Sequence, residues 1–114
     1  MRRLAVLLIA ISGLAACGDS HSSAAAVTVP VANAGAAVSI KNIAFTPRTV
    51  TIHPGQAVVW TFRDGDVPHN VTGDGYASAT RTSGTFVHTF PAPGTYNYSC
   101  TIHTGMTGTV VVSS

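Results

Sequence analysis

Residues 94–106 read Gly-Thr-Tyr-Asn-Tyr-Ser-Cys-Thr-Ile-His-Thr-Gly-Met and join a strand-like segment to a short loop. In the first half, Tyr96, Tyr98 and Cys100 alternate with small or polar residues, and this period of two predicts a half-buried β-strand. The same parity directs the Cys100 side chain to the inner face at the end of that strand. Gly105 suits a tight turn, so the loop can fold back beside Cys100.

This loop carries three side chains that bind transition metals, Cys100, His103 and Met106. A further histidine, His69, lies 31 positions upstream of Cys100, which leaves room for the chain to leave and return on a neighbouring strand. Two imidazoles, one thiolate and a weak thioether form the donor set of a mononuclear copper site. The sequence therefore predicts one copper ion bound by these four residues. The alternative for Cys100 is a buried, inert thiol that packs as a small apolar side chain.

The segments around this run favour an all-β fold. Short apolar stretches alternate with polar positions, Gly and Pro separate them, and there is no helical period of useful length. His53-Pro-Gly-Gln56 predicts a type II turn, because Pro and Gly occupy its two central positions. Many short strands separated in this way are typical of a β-sandwich, here a small Greek-key sandwich. The predicted strands are Val38–Ile40, Thr49–Ile52, Gln56–Phe62, Thr85–Phe90, Gly94–Cys100 and Thr107–Val112.

The first 16 residues predict an export signal. A basic start precedes 13 almost wholly apolar residues, Leu4 to Ala16, too few to span a bilayer and suited to a signal peptide. Leu14-Ala-Ala-Cys17 resembles the bacterial lipobox, which implies removal of residues 1–16 and a lipid on Cys17. We therefore expect an extracytoplasmic lipoprotein anchored to a bacterial membrane, in a periplasm or on the outer cell surface. Ordinary secretion with cleavage nearby is the alternative.

Residues 17–37 predict a flexible linker that begins with the lipidated Cys17. They are small, polar or alanine-rich and show no sustained periodicity. A flexible chain of about 20 residues reaches about 25 Å, enough to lift a domain off a membrane surface. A first strand in Val27-Thr-Val29 is the alternative. The folded domain is predicted to occupy residues 38–114.

Charge and length narrow the range of partners. Without residues 1–16, the basic and acidic side chains balance, so the formal charge of +2 belongs to the signal peptide. This balance gives no support for a nucleic-acid partner. The remaining length is enough for one small domain, and a monomer is expected. The charged side chains are Lys41, Arg48, Arg63 and Arg81 against Asp19, Asp64, Asp66 and Asp74.

Further motifs occur near the four predicted metal-binding residues. They are Val59-Trp60, Pro68-His-Asn-Val71, Phe90, Pro93-Gly-Thr-Tyr96 and Tyr98. Together they resemble the cupredoxins of the plastocyanin and amicyanin type over about residues 38–112. The Cys-x2-His-x2-Met spacing is similar to amicyanin, since plastocyanin has a longer His-to-Met interval. The resemblance implies a type 1 blue copper site, with one ion cycling between Cu(I) and Cu(II), and a role in electron transfer.

A docking surface is expected around His103, the donor predicted to lie nearest to solvent. Val67, Pro68 and Ile102 are expected to form an apolar rim there, to which a protein redox donor and acceptor would dock.

The Ile102 backbone N–H is also expected to point at the sulfur of Cys100, where a hydrogen bond would favour the reduced site.

The remaining side chains near the predicted strands receive simpler interpretations. Asn70 is expected to hydrogen-bond to the Thr101 hydroxyl, which would tie the two donor segments together. His88 shares a face with Phe86 and Phe90 and is interpreted as a partly buried packing residue, with a functional role as the alternative. His53 is expected to be exposed in its turn.

Three classes of function follow from these patterns. The first is a membrane-tethered carrier of single electrons. The alternative is a copper-binding protein of the cell envelope that stores or delivers the metal, which is weaker because Met106 is the only methionine after the signal peptide. An enzyme is not expected, because a copper oxidase or reductase needs a further histidine-rich cluster and the chain has no His-x-His pair.

Overall fold

The structure is a computed structural model and describes residues 33–114. These residues contain nine β-strands, joined by turns and loops. Within these residues there is no helix, and so no helical segment that could cross a membrane. The strands are β1 (Ala34–Lys41), β2 (Ala44–Thr46), β3 (Thr49–Ile52), β4 (Ala57–Phe62), β5 (Thr72–Gly73), β6 (Tyr76–Ala77), β7 (Thr85–Thr89), β8 (Gly94–Ser99) and β9 (Thr107–Val112).

The strands form two mixed sheets that pack around one apolar core. One sheet has the order β2-β1-β4-β7, and the other has the order β3-β9-β8-β5-β6. Each sheet contains one parallel pair, β1 with β4 and β3 with β9, while the other pairs are antiparallel. The predicted all-β sandwich is therefore confirmed.

Strand parity places the core residues as the sequence predicts. Trp60 and Phe62 of β4 are buried, and so are Tyr98 of β8 and the adjoining Cys100. The rings of Trp60 and Tyr98 meet edge-on, with 5.2 Å between their centroids. Aromatic side chains bury large apolar areas, and edge-on pairs add a specific attraction. The strand that leads to Cys100 is therefore anchored in the core by a contact between the two sheets.

The N-terminal boundary of the sandwich differs from the prediction. β1 begins at Ala34, so residues 34–37 belong to the first sheet and not to the predicted linker. The small side chains of these residues show no alternation that would predict a strand. The segment becomes part of β1 because it pairs in parallel with β4, where Ala36 is the register partner of Val58. The pattern also misses β2, β5 and β6, because strands this short carry no period. The predicted signal peptide, the lipidated Cys17 and linker residues 17–32 lie outside the described residues.

The turn between β1 and β2 has an unusual backbone. Lys41 pairs with Ala44, and the two residues between them, Asn42 and Ile43, have φ of 55° and 53°. Two consecutive positive φ angles characterise a type I′ hairpin turn, which favours Asn-Gly. A β-branched residue in this region is an outlier, and the left-handed conformation costs roughly 1–2 kcal/mol. Because Ile43 is also 51% exposed, its side chain gains little from packing.

We expect Ile43→Gly to stabilise the fold by about 1 kcal/mol, because glycine adopts a positive φ without steric cost. The greater freedom of glycine in the unfolded chain offsets part of the gain. Denaturant titration of both proteins measures the change in the free energy of unfolding. Ile43→Ala is the matched control, since it removes the exposed side chain but keeps a Cβ, and it should give a smaller gain. Equal stabilisation by both variants would show that the backbone is not the cause.

Candidate metal centre

Backbone hydrogen bonds fold the loop between β8 and β9 back on itself. The N–H of Cys100 donates to the carbonyl of Met106 over 3.0 Å, and the N–H of Met106 donates to the carbonyl of His103 over 3.3 Å. Gly105 has φ of 81°, which glycine adopts without strain, so the chain reverses at this residue. The first and last residues of the loop therefore lie together, and the side chains of Cys100 and Met106 are both buried.

His69 lies in the connection between β4 and β5, where its backbone is held on both sides. Its N–H donates to the carbonyl of Arg81, and its carbonyl accepts from the N–H of Arg81, each over 2.9 Å. The residue is only 1% exposed. Its position and burial leave the imidazole little freedom. The structure thus brings His69 to the Cys100 loop from a segment distant in sequence, as predicted.

Three donor atoms converge at the end of the sandwich. Sγ of Cys100 lies 3.5 Å from Nδ1 of His103 and 3.9 Å from Nδ1 of His69. The donor atoms of all three residues lie within 4.8 Å of one another. Metal bonds of about 2.0–2.3 Å, set about 120° apart, would separate such donors by about 3.7 Å. The cluster therefore fits a trigonal ion and, with Met106 buried in the same loop, is positioned for a single type 1 copper ion.

Asn70 ties the His69 segment to the Cys100 loop, as predicted. Its Nδ2 donates to the hydroxyl of Thr101 over 2.7 Å, and its Oδ1 accepts from the backbone N–H of Thr101 over 2.9 Å. The hydroxyl of Thr72 donates to the same Oδ1 over 3.2 Å. An amide that uses both its donor and its acceptor on one residue holds two segments at a set distance. These hydrogen bonds therefore hold the segment that carries His69 against the loop that carries Cys100.

Asp64 contacts His69 and was counted in the sequence only as a charge. Its carboxylate Oδ2 lies 2.8 Å from Nε2 of His69 and accepts a hydrogen bond from it. The backbone N–H of Ile43 and then the His69 side chain stabilise the ionised carboxylate and lower the pKa of Asp64. The only feature of the sequence that could have predicted this contact is that Asp64 is an acidic residue five positions before His69. That signal is weak, because loops often contain aspartate for local turns.

His103 is the donor nearest to solvent, since it is partly buried while the other two clustered donors are buried. The residue before it, Ile102, is 45% exposed. Of the other apolar residues predicted for the rim, Pro68 is exposed and Val67 is partly buried. The backbone N–H of Ile102 is not among the hydrogen bonds that reach the sulfur of Cys100 within residues 33–114, contrary to the expectation from the sequence.

The other two histidines of the described chain are not members of the donor cluster. The ring of His88 stacks on Tyr76 with 4.1 Å between centroids and meets Phe90 edge-on at 4.9 Å. Burial lowers the pKa of His88, because removal from water disfavours the charged ring. His53 is exposed, and its Nδ1 lies 3.0 Å from the carbonyl of Ser113. Packing on Tyr76 and Phe90 agrees with the interpretation of His88 from the sequence.

Two histidines, one cysteine and one methionine at the end of a β-sandwich define a type 1 copper protein. The model of the family described as copper binding proteins, plastocyanin/azurin family, matches residues 32–113. The chain belongs to this family, and its membership supports a blue copper electron-transfer protein.

Individual relatives agree with the family match. Amicyanin-alpha of Methylorubrum extorquens is 40% identical over 83 residues, which cover 66% of this chain and 69% of that protein. The structure of a purple cupredoxin from Nitrosopumilus maritimus is similar with a TM-score of 0.63 and 30% identity, over 68% of this chain and 99% of that chain. The Cu(I) form of an amicyanin variant has a TM-score of 0.65 and 29% identity, over 74% and 87% of the two chains. The predicted resemblance to the cupredoxins is thus confirmed.

Proposed function

We propose that the chain is a membrane-tethered type 1 copper protein that carries single electrons between extracytoplasmic redox partners. The observation that carries this proposal is the convergence of Sγ of Cys100 with Nδ1 of His103 at 3.5 Å and Nδ1 of His69 at 3.9 Å. Bound copper supplies a one-electron change between Cu(I) and Cu(II) at these donors. The protein must then hold the donors, give electrons a route to the surface and reach its partners.

The chain holds its donors at nearly constant positions. Both backbone bonds of His69 go to Arg81, the Cys100 loop is closed by its bond to Met106, and Asn70 joins the two segments. Thiolate and thioether favour Cu(I), whereas imidazole also suits Cu(II), so the set serves both oxidation states. A site that moves little when its charge changes loses little energy to rearrangement. Such a site suits rapid electron transfer.

His103 offers the route between the donors and the surface. Its imidazole is the most exposed of the clustered donors, and the adjacent Ile102 exposes 45% of its surface. A small apolar patch favours brief docking, because weak redox complexes bury less area than stable ones. A protein donor and a protein acceptor therefore dock in turn on the rim of Val67, Pro68 and Ile102. The protein acts as a monomer in this scheme.

The location of the protein in the cell envelope rests on its N-terminal sequence. A short apolar segment followed by the lipobox-like Leu14-Ala-Ala-Cys17 supports export and attachment of lipid to Cys17. The segment between Cys17 and the first strand at Ala34 then serves as the tether. The protein faces a periplasm or the outer cell surface, where its redox partners are found.

Copper storage or delivery is less well supported as a function. A site that hands copper to another protein needs donors that the partner can reach, but His69 is 1% exposed and Cys100 and Met106 are 3% exposed. Catalysis is not proposed either, because four donors from the chain leave no coordination position for a substrate. The deep burial of these three of the four donors therefore favours electron transfer over copper exchange.

Addition of Cu(II) to the purified protein tests the proposed function. We expect one copper ion per chain and an intense visible band from thiolate-to-copper charge transfer. The band should bleach on one-electron reduction and return on reoxidation, with the copper retained throughout. A protein that binds no copper, or binds it without this band, would contradict the proposal. Release of copper on reduction would favour the storage or delivery function.

The role of Met106 gives a second test of the site. We expect Met106→Gln to retain copper but to lower its reduction potential, because an amide oxygen is a harder donor than a thioether and favours Cu(II). A tenfold change in relative affinity for the two oxidation states corresponds to about 59 mV, and we expect at least that shift by voltammetry. Met106→Leu removes the sulfur without supplying oxygen, so this control should not lower the potential. An unchanged potential in Met106→Gln would show that Met106 is not a donor to the copper.

A further inference from the structure

The carboxylate of Asp64 accepts hydrogen bonds from three groups on two different segments. Nε2 of His69 donates to Oδ2 over 2.8 Å, and the side chain of Asp64 is only 14% exposed. The backbone N–H of Asn42 donates to Oδ1 over 3.0 Å, and that of Ile43 donates to Oδ2 over 3.0 Å. Both carboxylate oxygens are thus held by the β1–β2 turn, while one of them also faces the imidazole.

The backbone conformation of the β1–β2 turn directs two N–H groups toward the carboxylate of Asp64. Asn42 and Ile43 both have positive φ, and successive N–H groups in a tight turn can converge on a single anion. Residues in sparsely populated backbone regions persist only where the surroundings hold them. The charge-assisted hydrogen bonds to Asp64 supply such a restraint. The turn and the carboxylate therefore hold each other in place, 21 or more residues apart in sequence.

The hydrogen bond to Asp64 also decides which nitrogen of His69 is free. A carboxylate accepts but does not donate, so Nε2 carries the proton and the lone pair of a neutral ring is on Nδ1. Nδ1 is the nitrogen that lies 3.9 Å from Sγ of Cys100. Carboxylate–histidine pairs of this kind orient a metal-binding ring and make it a stronger donor. The imidazole of His69 therefore presents the lone pair of Nδ1 to the site even in the metal-free protein.

We propose that Asp64, held by the Asn42–Ile43 turn, is a positioning residue that sets the tautomer of His69 and favours Cu(II) over Cu(I) at the site. This inference rests on the proposed copper function. A negative charge hydrogen-bonded to the ring stabilises the more positive ion, so Asp64 lowers the reduction potential. Loss of partners of this kind typically weakens metal binding by about 10–100-fold. The β1–β2 turn, a surface element, thereby acts on the metal centre through one carboxylate.

The metal-free wild-type protein provides the first test, because bound copper would itself force the proton onto Nε2. Nitrogen-15 NMR of the imidazole of His69 should show the tautomer with the proton on Nε2 and a slowly exchanging N–H. A proton on Nδ1, or an equal mixture of the two tautomers, would overturn the proposal. This measurement needs no variant and no copper, so it can fail or succeed independently of the proposed electron-transfer function.

A pair of variants provides the second test. Asp64→Asn removes the charge at the ring, whereas Asp66→Asn removes the same charge from an exposed residue of the same loop and serves as the matched control. Competition with a chelator should show Cu(II) binding weakened 10–100-fold in Asp64→Asn only, with a higher potential than in Asp66→Asn. Equal affinities and potentials in the two variants would overturn the proposal. If Asp64→Asn does not fold, the NMR measurement on the wild type still decides the question.

Discussion

Replacing Cys100 with serine is expected to abolish the intense visible band of the copper-loaded protein. The band requires a thiolate bound to Cu(II), and a serine hydroxyl is a hard donor that stays protonated near neutral pH. In the structure, Sγ is the donor in contact with both imidazoles, at 3.5 Å from His103 and 3.9 Å from His69. Absorption spectra of wild type and Cys100→Ser loaded with equal Cu(II) measure the effect, which should be a complete loss.

Two controls separate this spectroscopic effect from unfolding and from the other cysteine. Cys100 is 3% exposed, so a hydroxyl in its place costs up to about 1–3 kcal/mol if it finds no partner, and denaturation shows whether the sandwich persists. Cys17→Ser changes the other cysteine of the sequence and should leave the band unchanged. An intact visible band in folded Cys100→Ser would exclude the cysteine as a copper ligand.

Replacing Cys17 with alanine is expected to move the protein from the membrane to the soluble fraction. Lipid attachment at a lipobox needs the cysteine sulfur, and alanine offers no such atom. One acyl chain gives only marginal binding, whereas two or more hold a protein stably on a bilayer. The shift should therefore be nearly complete. Fractionation of cells that express each protein, together with metabolic labelling by a fatty acid, measures the change.

Cys100→Ser is the matched control for this experiment, because it alters the other cysteine of the sequence and leaves the lipobox-like segment unchanged. It should remain in the membrane fraction and carry the label. The Cys17→Ala protein, if it folds, should still show the visible band on addition of copper. Wild-type protein found wholly in the soluble fraction, without label, would contradict the lipoprotein proposal and leave the copper function standing.

Part of the fold and most of the site could be predicted from local sequence. Alternation along β8 placed Tyr98 and Cys100 on the inner face, where both are buried. The spacing of Cys100, His103 and Met106 predicted one short donor loop, and its backbone bonds close that loop. Both features depend on neighbours in sequence, so a local pattern contains them. The hydrogen bond between Asn70 and Thr101 joins residues 31 positions apart. It could be expected because Asn70 adjoins His69 and Thr101 adjoins Cys100, two residues predicted to meet at one metal ion.

Other features could not be predicted, because they depend on segments that meet only in the fold. The alanine-rich start of β1 has no period, and its strand forms by parallel pairing with β4. The hydrogen bond between Asp64 and His69 requires the β1–β2 turn to hold the carboxylate from a distant part of the chain. Conversely, the backbone N–H of Ile102 was expected to reach the sulfur of Cys100, but it is not among the groups of residues 33–114 that hydrogen-bond to this sulfur.

The sequence by itself determined the fold class and which side chains would meet at the metal centre, because strand alternation and donor spacing are local and chemically specific. The tertiary structure alone decided the parallel pairings of β1 and β3, the start of β1 at Ala34 and the contact of Asp64 with His69. These pairings and this hydrogen bond join segments that meet only through packing in three dimensions, and no period along the chain encodes them.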